Sequence, residues 1–520
     1  MTRQESITEI GKLKPSTFSY KDKEGNEKII AKNQMSYFII PLAHELYDKK
    51  SPAKIIESFK QLGWSVVNNQ EKRAFSQTDA RQMDSIKLYL YDEMIPKYTK
   101  IQEHFITQRN FLFQYAALEK EWKFESYFRG KLEYETEFLL DEIDLWIVDK
   151  NISFFTLKTK LSLSDESNLS DISSKFNRNM RDFKAMYIDT ATNTFSNDSS
   201  KGVSVLDWLC SLVEVDGQSL LSHQSKKLQD IQNLKEYYPV FNTSYNAKMI
   251  TAMHVDEMEL NGEEIEPAFT EDLISVKIDG VSVLEEMPYL LGTTSELYPS
   301  KTWESNEEFL FEQVGNGQIN IWKYWSGVAL HDSLAFFSIG DGTSAIVNSA
   351  RNTYYFIYIL NLYSSYKLRF FEHELIDNEF VSIENIRPLY SDLQRLRNQY
   401  MCTELSSLFQ PNVVHEAISG AMKMDNMYEE IKDNIEATLE ITSRNTDIIV
   451  TALITIFSIA GMYFNQDMLM NFFDMHQKTA IAIAFVIATV IIIAVKQRSR
   501  IIRFIKKLRT KIAIVERMMD

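Results

Sequence analysis

The chain has 520 residues, of which 45% are hydrophobic and 25% are charged, and its formal net charge is −16. This composition supports a large buried core and excludes wholesale disorder. The acidic balance argues against direct binding of nucleic acid, and the two cysteines, which form no CxxC pair, exclude a disulfide framework and a zinc ribbon.

Residues 1–340 show the mixed pattern of an α+β domain. Helical periodicity occurs in four segments, 54–64, 79–121, 172–189 and 219–236. Residues 133–161 are predicted to form strands, and turn residues predict a hairpin at 261–262 and a turn-and-strand unit within 275–284. The Ser-, Thr-, Asn- and Gly-rich segment 190–203 is expected to be a linker.

Enzyme motifs are not found in this sequence, since GxGxxG, GxxxxGK, HExxH and GxSxG are all missing. The chain is therefore not predicted to be an enzyme. Segment 324–342 places Tyr324, Trp325, His331 and Asp332 close together in sequence. A histidine and an aspartate could serve catalysis or hold a ligand, but a packed core histidine with a capping aspartate explains the same residues.

A long helix is predicted towards the C-terminus. Apolar residues keep three- and four-residue spacing upstream of an apolar run, and the last proline is Pro411. An amphipathic helix from 412 to 465 would be roughly 80 Å long and would have to pack on copies of itself or on neighbouring helices, of which a bundle of copies is the simplest. Residues 353–375 are also apolar, but Lys367 and Arg369 interrupt them, so a buried helix is expected there.

Two apolar segments, about 447–465 and 478–496, are long enough to be predicted as membrane spans. Residues 496–520 hold nine Lys or Arg and two acids, which places this end in the cytoplasm by the positive-inside rule. Both termini would then be cytoplasmic. The predicted domains are an α+β ligand-sensing domain (1–340), a helical stalk (341–445), a two-span membrane domain (446–496) and a basic tail (497–520).

Polar side chains form a stripe along the first predicted span. The stripe consists of Asp447, Thr451, Thr455, Ser458, Met462, Asn465 and Gln466. Its hydroxyl groups could simply bond back to carbonyls of the same helix. Alternatively the stripe lines a water-filled pore made by several subunits, with Asp467 and Asp474 at the outer mouth, although they also suit an ordinary loop.

The segment Ala460-Gly461-Met462-Tyr463-Phe464-Asn465-Gln466 stands where CorA-like divalent-cation transporters typically have AGIYGMN. The chain resembles that family in its order of N-terminal domain, stalk, two spans and basic tail, although the signature Gly-Met-Asn is lost. The resemblance implies an α+β cytosolic domain joined to a long stalk helix and two C-terminal transmembrane helices. It also implies a homo-oligomer, a pentamer or tetramer, that lies in a lipid bilayer. This assembly would conduct Mg²⁺ or another divalent cation.

The enlarged N-terminal domain resembles the CorA-like branch that accompanies type III CRISPR systems. That resemblance implies an antiviral channel in the bacterial inner membrane, gated by a nucleotide second messenger, S-adenosylmethionine joined to AMP (SAM-AMP). The candidate ligand-binding residues are then Arg129, Tyr324, Trp325, His331, Asp332 and Arg351. A housekeeping Mg²⁺ or Co²⁺ transporter and a membrane-anchored enzyme or receptor are the alternatives.

Overall fold

The structure is a computed structural model of the whole chain. It describes the following residues: 20–21, 27–28, 33–43, 57, 59–66, 111–115, 120–147, 152–161, 169–183, 185–215, 218–219, 247–255, 259–260, 263–264, 277–278, 281–295, 317–322, 324–339, 345–377, 383–440 and 454. The chain divides into two units, one made of 1–373 and 394–429 and the other of 374–393 and 430–520.

The described strands are β1 (Tyr20–Lys21), β2 (Glu27–Lys28), β3 (Asn33–Ala43), β4 (Trp64–Val66), β5 (Phe111–Tyr115), β6 (Lys120–Phe128), β7 (Lys131–Ile147), β8 (Ile152–Leu161), β9 (Tyr187–Asp189), β10 (Thr194–Ser196), β11 (Val203–Ser204), β12 (Glu214–Val215), β13 (Gln218–Ser219), β14 (Lys248–Val255), β15 (Glu259–Leu260), β16 (Glu263–Glu264), β17 (Lys277–Ile278), β18 (Val281–Ser282), β19 (Gln318–Trp322), β20 (Trp325–Ala329) and β21 (Ser333–Ile339).

The described α-helices are α1 (Leu169–Arg181), α2 (Val205–Ser211), α3 (Val283–Thr293), α4 (Ala345–Ser349), α5 (Tyr355–Asp377), α6 (Ile383–Tyr400), α7 (Phe409–Ala421) and α8, of which residues 424–440 are described. A π-helical turn, Ala350–Tyr354, joins α4 to α5. A 3₁₀ turn, Ser199–Lys201, precedes β11.

Thirteen of the described strands form one mixed sheet. Eleven of them follow the order β11-β9-β10-β6-β7-β8-β3-β14-β21-β20-β19, and β5 and β4 branch from β7. Two pairs of described strands, β6 with β10 and β14 with β21, are parallel, and the other pairs are antiparallel. Strand β8 is buried along almost its whole length, as expected for a central strand covered on both faces.

Helix α1 packs its aromatic side chain onto this sheet. The Phe176 ring lies 5.9 Å from Phe38, 5.5 Å from Phe124 and 5.1 Å from Phe138, centroid to centroid. All four side chains are fully buried. Each contributes roughly 1.5–3 kcal/mol through burial alone, so this packing fixes α1 on the sheet.

The end of α1 meets the beginnings of β14 and β21. The Ala247 amide donates to the Arg181 carbonyl at 2.7 Å, so the chain enters β14 directly beside the last turn of α1. The Met249 amide donates to the Asp332 carbonyl at 3.1 Å, which aligns the start of β14 with the turn before β21. The end of α1 and the beginnings of β14 and β21 therefore lie together at one end of these strands.

Several predicted elements are confirmed. The segment 353–375, which was expected to be a buried helix, is formed by the end of the π-helical turn and by α5, and most of it is buried. Strands β15 and β16 pair around 261–262, and β17 and β18 pair within 275–284. The predicted helix 219–236 lies outside the described residues apart from residue 219.

Two predictions for the N-terminal part are wrong. The end of the helix expected at 79–121 is strand, because β5 and the start of β6 pair with β7 there. The linker expected at 190–203 contains β10, the 3₁₀ turn and β11. Polar turn residues led to that expectation, but the buried Phe195 ring, 5.2 Å from Trp122, fixes β10 onto the sheet.

The predicted continuous helix from residue 412 is also wrong. Helix α7 ends at Ala421, and α8 begins at residue 424. Between them Lys423 adopts a φ of 54°, in the left-handed region. Gly420 in the last turn weakens the helix, because glycine is among the poorest helix formers.

The predicted CorA-like architecture is corrected by the structure. The described chain is a large mixed sheet with helices, and none of the described helices is long and apolar enough to cross a membrane. The same finding corrects the predicted location, a multi-pass protein of the bacterial inner membrane, whereas the channel function itself stays a prediction. The predicted spans 447–465 and 478–496 lie outside the described residues, apart from Ile454.

Candidate functional site

Six side chains gather where β14 and β21 begin, and we name them the cationic cluster. The cationic cluster consists of Arg181, Lys248, His331, Asp332, Arg369 and Lys423. They come from α1, β14, the turn before β21, α5 and the break between α7 and α8.

Arg181 ends α1 and is nearly buried. One terminal nitrogen pairs with the Asp332 carboxylate, and the other donates to the Gly292 carbonyl at 3.2 Å. Gly292 lies in the last turn of α3, where carbonyl groups lack partners within the helix. The Arg181 Nε atom is buried without a hydrogen-bond partner in the described part of the chain. Arg181 therefore neutralises Asp332 and caps α3.

Lys248, the first residue of β14, is only 7% exposed. Burial lowers the pKa of Lys248 to about 8; Asp332 opposes this shift, while Arg369 and Arg181 add to it. Within the described ranges no carboxylate forms an ion pair with Lys248. A buried ammonium group in this position is costly unless an anion approaches it.

His331 and Arg369 are joined by a hydrogen bond at the rim of the cluster. Arg369 donates to His331 Nε2 at 2.7 Å, which requires Nε2 to be unprotonated. Partial burial lowers the pKa of His331, and Lys248 and Arg369 lower it further. The guanidinium of Arg369 also lies 6.0 Å from the Tyr366 ring centroid. A neutral His331 thus positions Arg369.

Lys423 stands at the exposed end of the cluster. Its charge lowers the pKa of His331, so it lies within electrostatic reach of that side chain. The left-handed backbone at Lys423 fixes its position between α7 and α8. The cluster therefore runs from buried Arg181 and Lys248 to a cation in contact with water.

The charges of the cationic cluster do not balance. Four cations face one carboxylate, Asp332, which Arg181 already occupies. The excess positive charge is concentrated on a chain whose net charge is −16. Concentrated charge of one sign in a partly buried site attracts counter-ions.

A second group of charged residues lies inside the sheet, and its positive and negative charges balance. Lys158 Nζ lies 2.9 Å from both Glu142 and Asp144. Burial alone would lower the pKa of Lys158, but Asp144 and Glu142 raise it well above its ordinary value. The Tyr355 hydroxyl donates to Asp144 at 2.8 Å and accepts from Trp146 Nε1 at 2.7 Å.

This buried network continues through the bulge of β7. Its register against β8 shifts between Leu140 and Glu142, next to Asp141. Asp141 pairs with Arg351 at 3.1 Å and with Lys160 at 3.0 Å. Three carboxylates thus face three cations, so the network satisfies its own charges and calls for no ligand.

The structure brings together two of the predicted ligand-binding residues, His331 and Asp332. Trp325 pairs with Ser338 at the far end of β21, about 17 Å along the strand from the cluster, with Tyr324 beside it. Arg351 precedes Arg369 by 18 positions, roughly 27 Å along the helix.

Arg129 lies at the tip of the β6–β7 hairpin, with a φ of 51° and its guanidinium 5.1 Å from the Phe128 ring. Strands β8 and β3 lie between this hairpin and β14, the nearest strand of the cluster. The residues assigned to a pore and its mouth all lie outside the described residues: Asp447, Thr451, Thr455, Ser458, Met462, Asn465, Gln466, Asp467 and Asp474.

Sequence reasoning missed Arg181, Lys248 and Lys423, and it considered Arg369 only as an interruption of an apolar helix. A basic residue at a helix end or before an apolar strand is common, so none of them carried a distinctive pattern. Among the described residues no group of three or more His, Cys, Asp or Glu side chains could hold a metal ion.

Comparison with known proteins gave no relative: no family model, no curated protein and no solved structure matches this chain.

Proposed function

We propose that this chain is a binding protein that recognises a phosphate-bearing small molecule of the nucleotide class at the cationic cluster. The observation that supports this function is Lys248, a buried ammonium group that no described carboxylate neutralises, beside Arg181 and Arg369. A bound anion would supply the missing negative charge. A protein with such an uncompensated ammonium group would be more stable when the anion is bound than when it is absent.

The phosphate follows from what the site offers, whereas the nucleotide class is the expectation carried over from the sequence resemblance. Arginine and lysine bind phosphate through charge-assisted hydrogen bonds. The cluster contains no nucleophile activated by a base, since His331 accepts its hydrogen bond from Arg369 rather than from a hydroxyl or thiol. Binding without chemistry is therefore the simplest function of these residues.

SAM-AMP is one member of this ligand class, and a role in antiviral defence stays a prediction from the sequence. Control of cation flow, assembly into a pentamer or tetramer and the binding of Mg²⁺ also stay predictions. The genomic neighbourhood would test the defence role, because a CRISPR effector cassette would favour it and a metal-homeostasis operon would not.

The proposed binding is tested by isothermal titration of the full-length protein with ATP, AMP and SAM-AMP. At least one of them should bind, and Lys248→Met should weaken that binding by about tenfold or more, the value expected for one charge-assisted hydrogen bond. Lys131→Met is the matched control, because Lys131 is an exposed lysine at the β6–β7 turn.

Circular dichroism must show that both variants keep the fold. If none of the three nucleotides binds, or if Lys248→Met binds them as tightly as the unaltered protein does, the proposed function is wrong.

A further inference from the structure

The positive charge that remains after internal pairing limits the kind of anion that fits the cluster. Arg181 is paired with Asp332, which leaves Lys248, Arg369 and Lys423 without a carboxylate inside the cluster. A singly charged anion would leave two of these three cations uncompensated. A doubly charged anion compensates one more cation at the same place, and the benefit is large because Lys248 is buried.

The donors come from three separate elements, which bears on the shape of the anion. Lys248 approaches from β14, Arg369 from α5 and Lys423 from the break between α7 and α8. A carboxylate is planar and has two oxygens. A phosphate monoester is tetrahedral and presents three terminal oxygens, whereas a phosphodiester presents two, so three separate donors match a terminal phosphate best.

His331 holds the Arg369 guanidinium in a fixed position. Its Nε2 atom accepts from Arg369 at 2.7 Å, so this guanidinium is held in place before a ligand arrives. Arg181 is likewise fixed by Asp332 and by the Gly292 carbonyl. A cluster with two guanidinium groups already fixed loses little side-chain entropy when it binds.

From this charge and geometry we infer that the cluster selects a ligand with a terminal phosphate, a phosphomonoester or a pyrophosphate, over phosphodiesters and carboxylates. This inference rests on the proposed function and adds the chemical group that is recognised. It separates linear nucleotides with a free phosphate from cyclic or internally linked ones, and SAM-AMP, whose phosphate joins its two halves, belongs to the second group.

The test compares four probes on the full-length protein by isothermal titration at pH 7.5 and fixed ionic strength. AMP and pyrophosphate carry a terminal phosphate, cyclic AMP is a phosphodiester with the same base, and citrate is a carboxylate of high charge. AMP should bind about tenfold more tightly than cyclic AMP, as expected for one additional charge-assisted contact, and pyrophosphate should displace it. Citrate should not displace it.

Two variants test whether Arg369 gives the preference for AMP over cyclic AMP. Arg369→Gln should reduce the preference for AMP over cyclic AMP to about threefold or less, because it removes the third donor. Arg369→Lys, which keeps the charge, should retain part of that preference.

Equal affinity for AMP and cyclic AMP, with both weakened by Lys248→Met, would overturn the terminal-phosphate inference and leave the proposed function standing. Displacement of AMP by citrate at similar concentration would also overturn it. If no probe binds, the terminal-phosphate inference fails, and the titrations with ATP and SAM-AMP then decide the proposed function.

Discussion

Arg369 donates a hydrogen bond to His331 Nε2 across 2.7 Å, and this contact links helix α5 to the turn before β21. The acceptor nitrogen must be unprotonated, and the pKa of His331 is lowered by partial burial and by the cations around it. The histidine thus acts as a neutral support for the Arg369 guanidinium at the rim of the cluster.

We predict that His331→Ala weakens AMP binding about threefold to tenfold, the equivalent of one hydrogen bond, because Arg369 loses its support. His331→Gln should restore most of the affinity, since its amide oxygen can accept the same bond. Isothermal titration measures both. A purely structural histidine would instead lower the melting temperature of His331→Ala without changing its affinity for AMP.

Replacing Lys158, in the buried network of β7 and β8, is predicted to destabilise the protein strongly. Lys158→Met leaves Glu142 and Asp144 without their shared cation inside the sheet, so we expect a loss of about 3–5 kcal/mol in the free energy of unfolding. Urea denaturation followed by circular dichroism measures the loss.

Lys160→Met is the matched control for Lys158→Met. Lys160 pairs with Asp141, but its side chain is 39% exposed, and exposed ion pairs contribute less than about 1 kcal/mol. Equal losses in the two variants would show that burial does not decide the strength of this network.

Replacing Thr294 with glycine is predicted to stabilise the protein. It follows α3 with a φ of 58°, a conformation that is strained for a β-branched residue and normal for glycine. The Arg178 guanidinium donates to the Thr294 carbonyl, which any residue keeps. Thr294→Gly should raise the free energy of unfolding by about 0.5–1 kcal/mol.

Thr294→Ala separates backbone strain from the loss of the hydroxyl and methyl groups. Alanine keeps the Cβ atom and therefore most of the strain, so this variant should show no gain. If Thr294→Gly is less stable than the unaltered protein in urea denaturation, the strain at this position is small.

Local features of the fold could be predicted from the sequence. Helix α5 was found because Lys367 and Arg369 rule out a membrane span while the apolar residues around them require burial. The hairpin of β15 and β16 was found because Asn261-Gly262 is a strong turn former. In contrast, β5 was missed because its strand character depends on pairing with β7, which local periodicity does not encode.

The candidate site was only partly predictable. His331 and Asp332 are adjacent in sequence, so their polar character could be noticed together. Arg181, Lys248 and Lys423 come from three further segments, and only the parallel pairing of β14 with β21 and the end of α1 bring the first two together. Sequence spacing holds no information about such long-range contacts.

The lowered pKa of Lys248 predicts how anion binding depends on pH. Three charged groups act on Lys248 directly: Arg181, Asp332 and Arg369. Its neighbour His331 is acted on by Lys248 and by Asp332, Arg369 and Lys423. With a pKa of about 8, Lys248 is mostly charged at pH 7.5 and mostly neutral at pH 9.5. AMP is already doubly charged throughout this range. Its affinity should therefore fall by about tenfold or more between these two pH values.

The stability of the ligand-free protein should change in the opposite direction. The pKa of Lys248 is lower in the folded chain than its ordinary value of 10.5, so the unfolded chain binds more protons between about pH 8 and 10.5. Through this group the free energy of unfolding rises with pH in that window. Lys248→Arg stays charged throughout, so AMP affinity in this variant should be nearly constant from pH 7.5 to 9.5. If the affinities of both proteins fall in parallel, a group other than Lys248 controls the pH dependence.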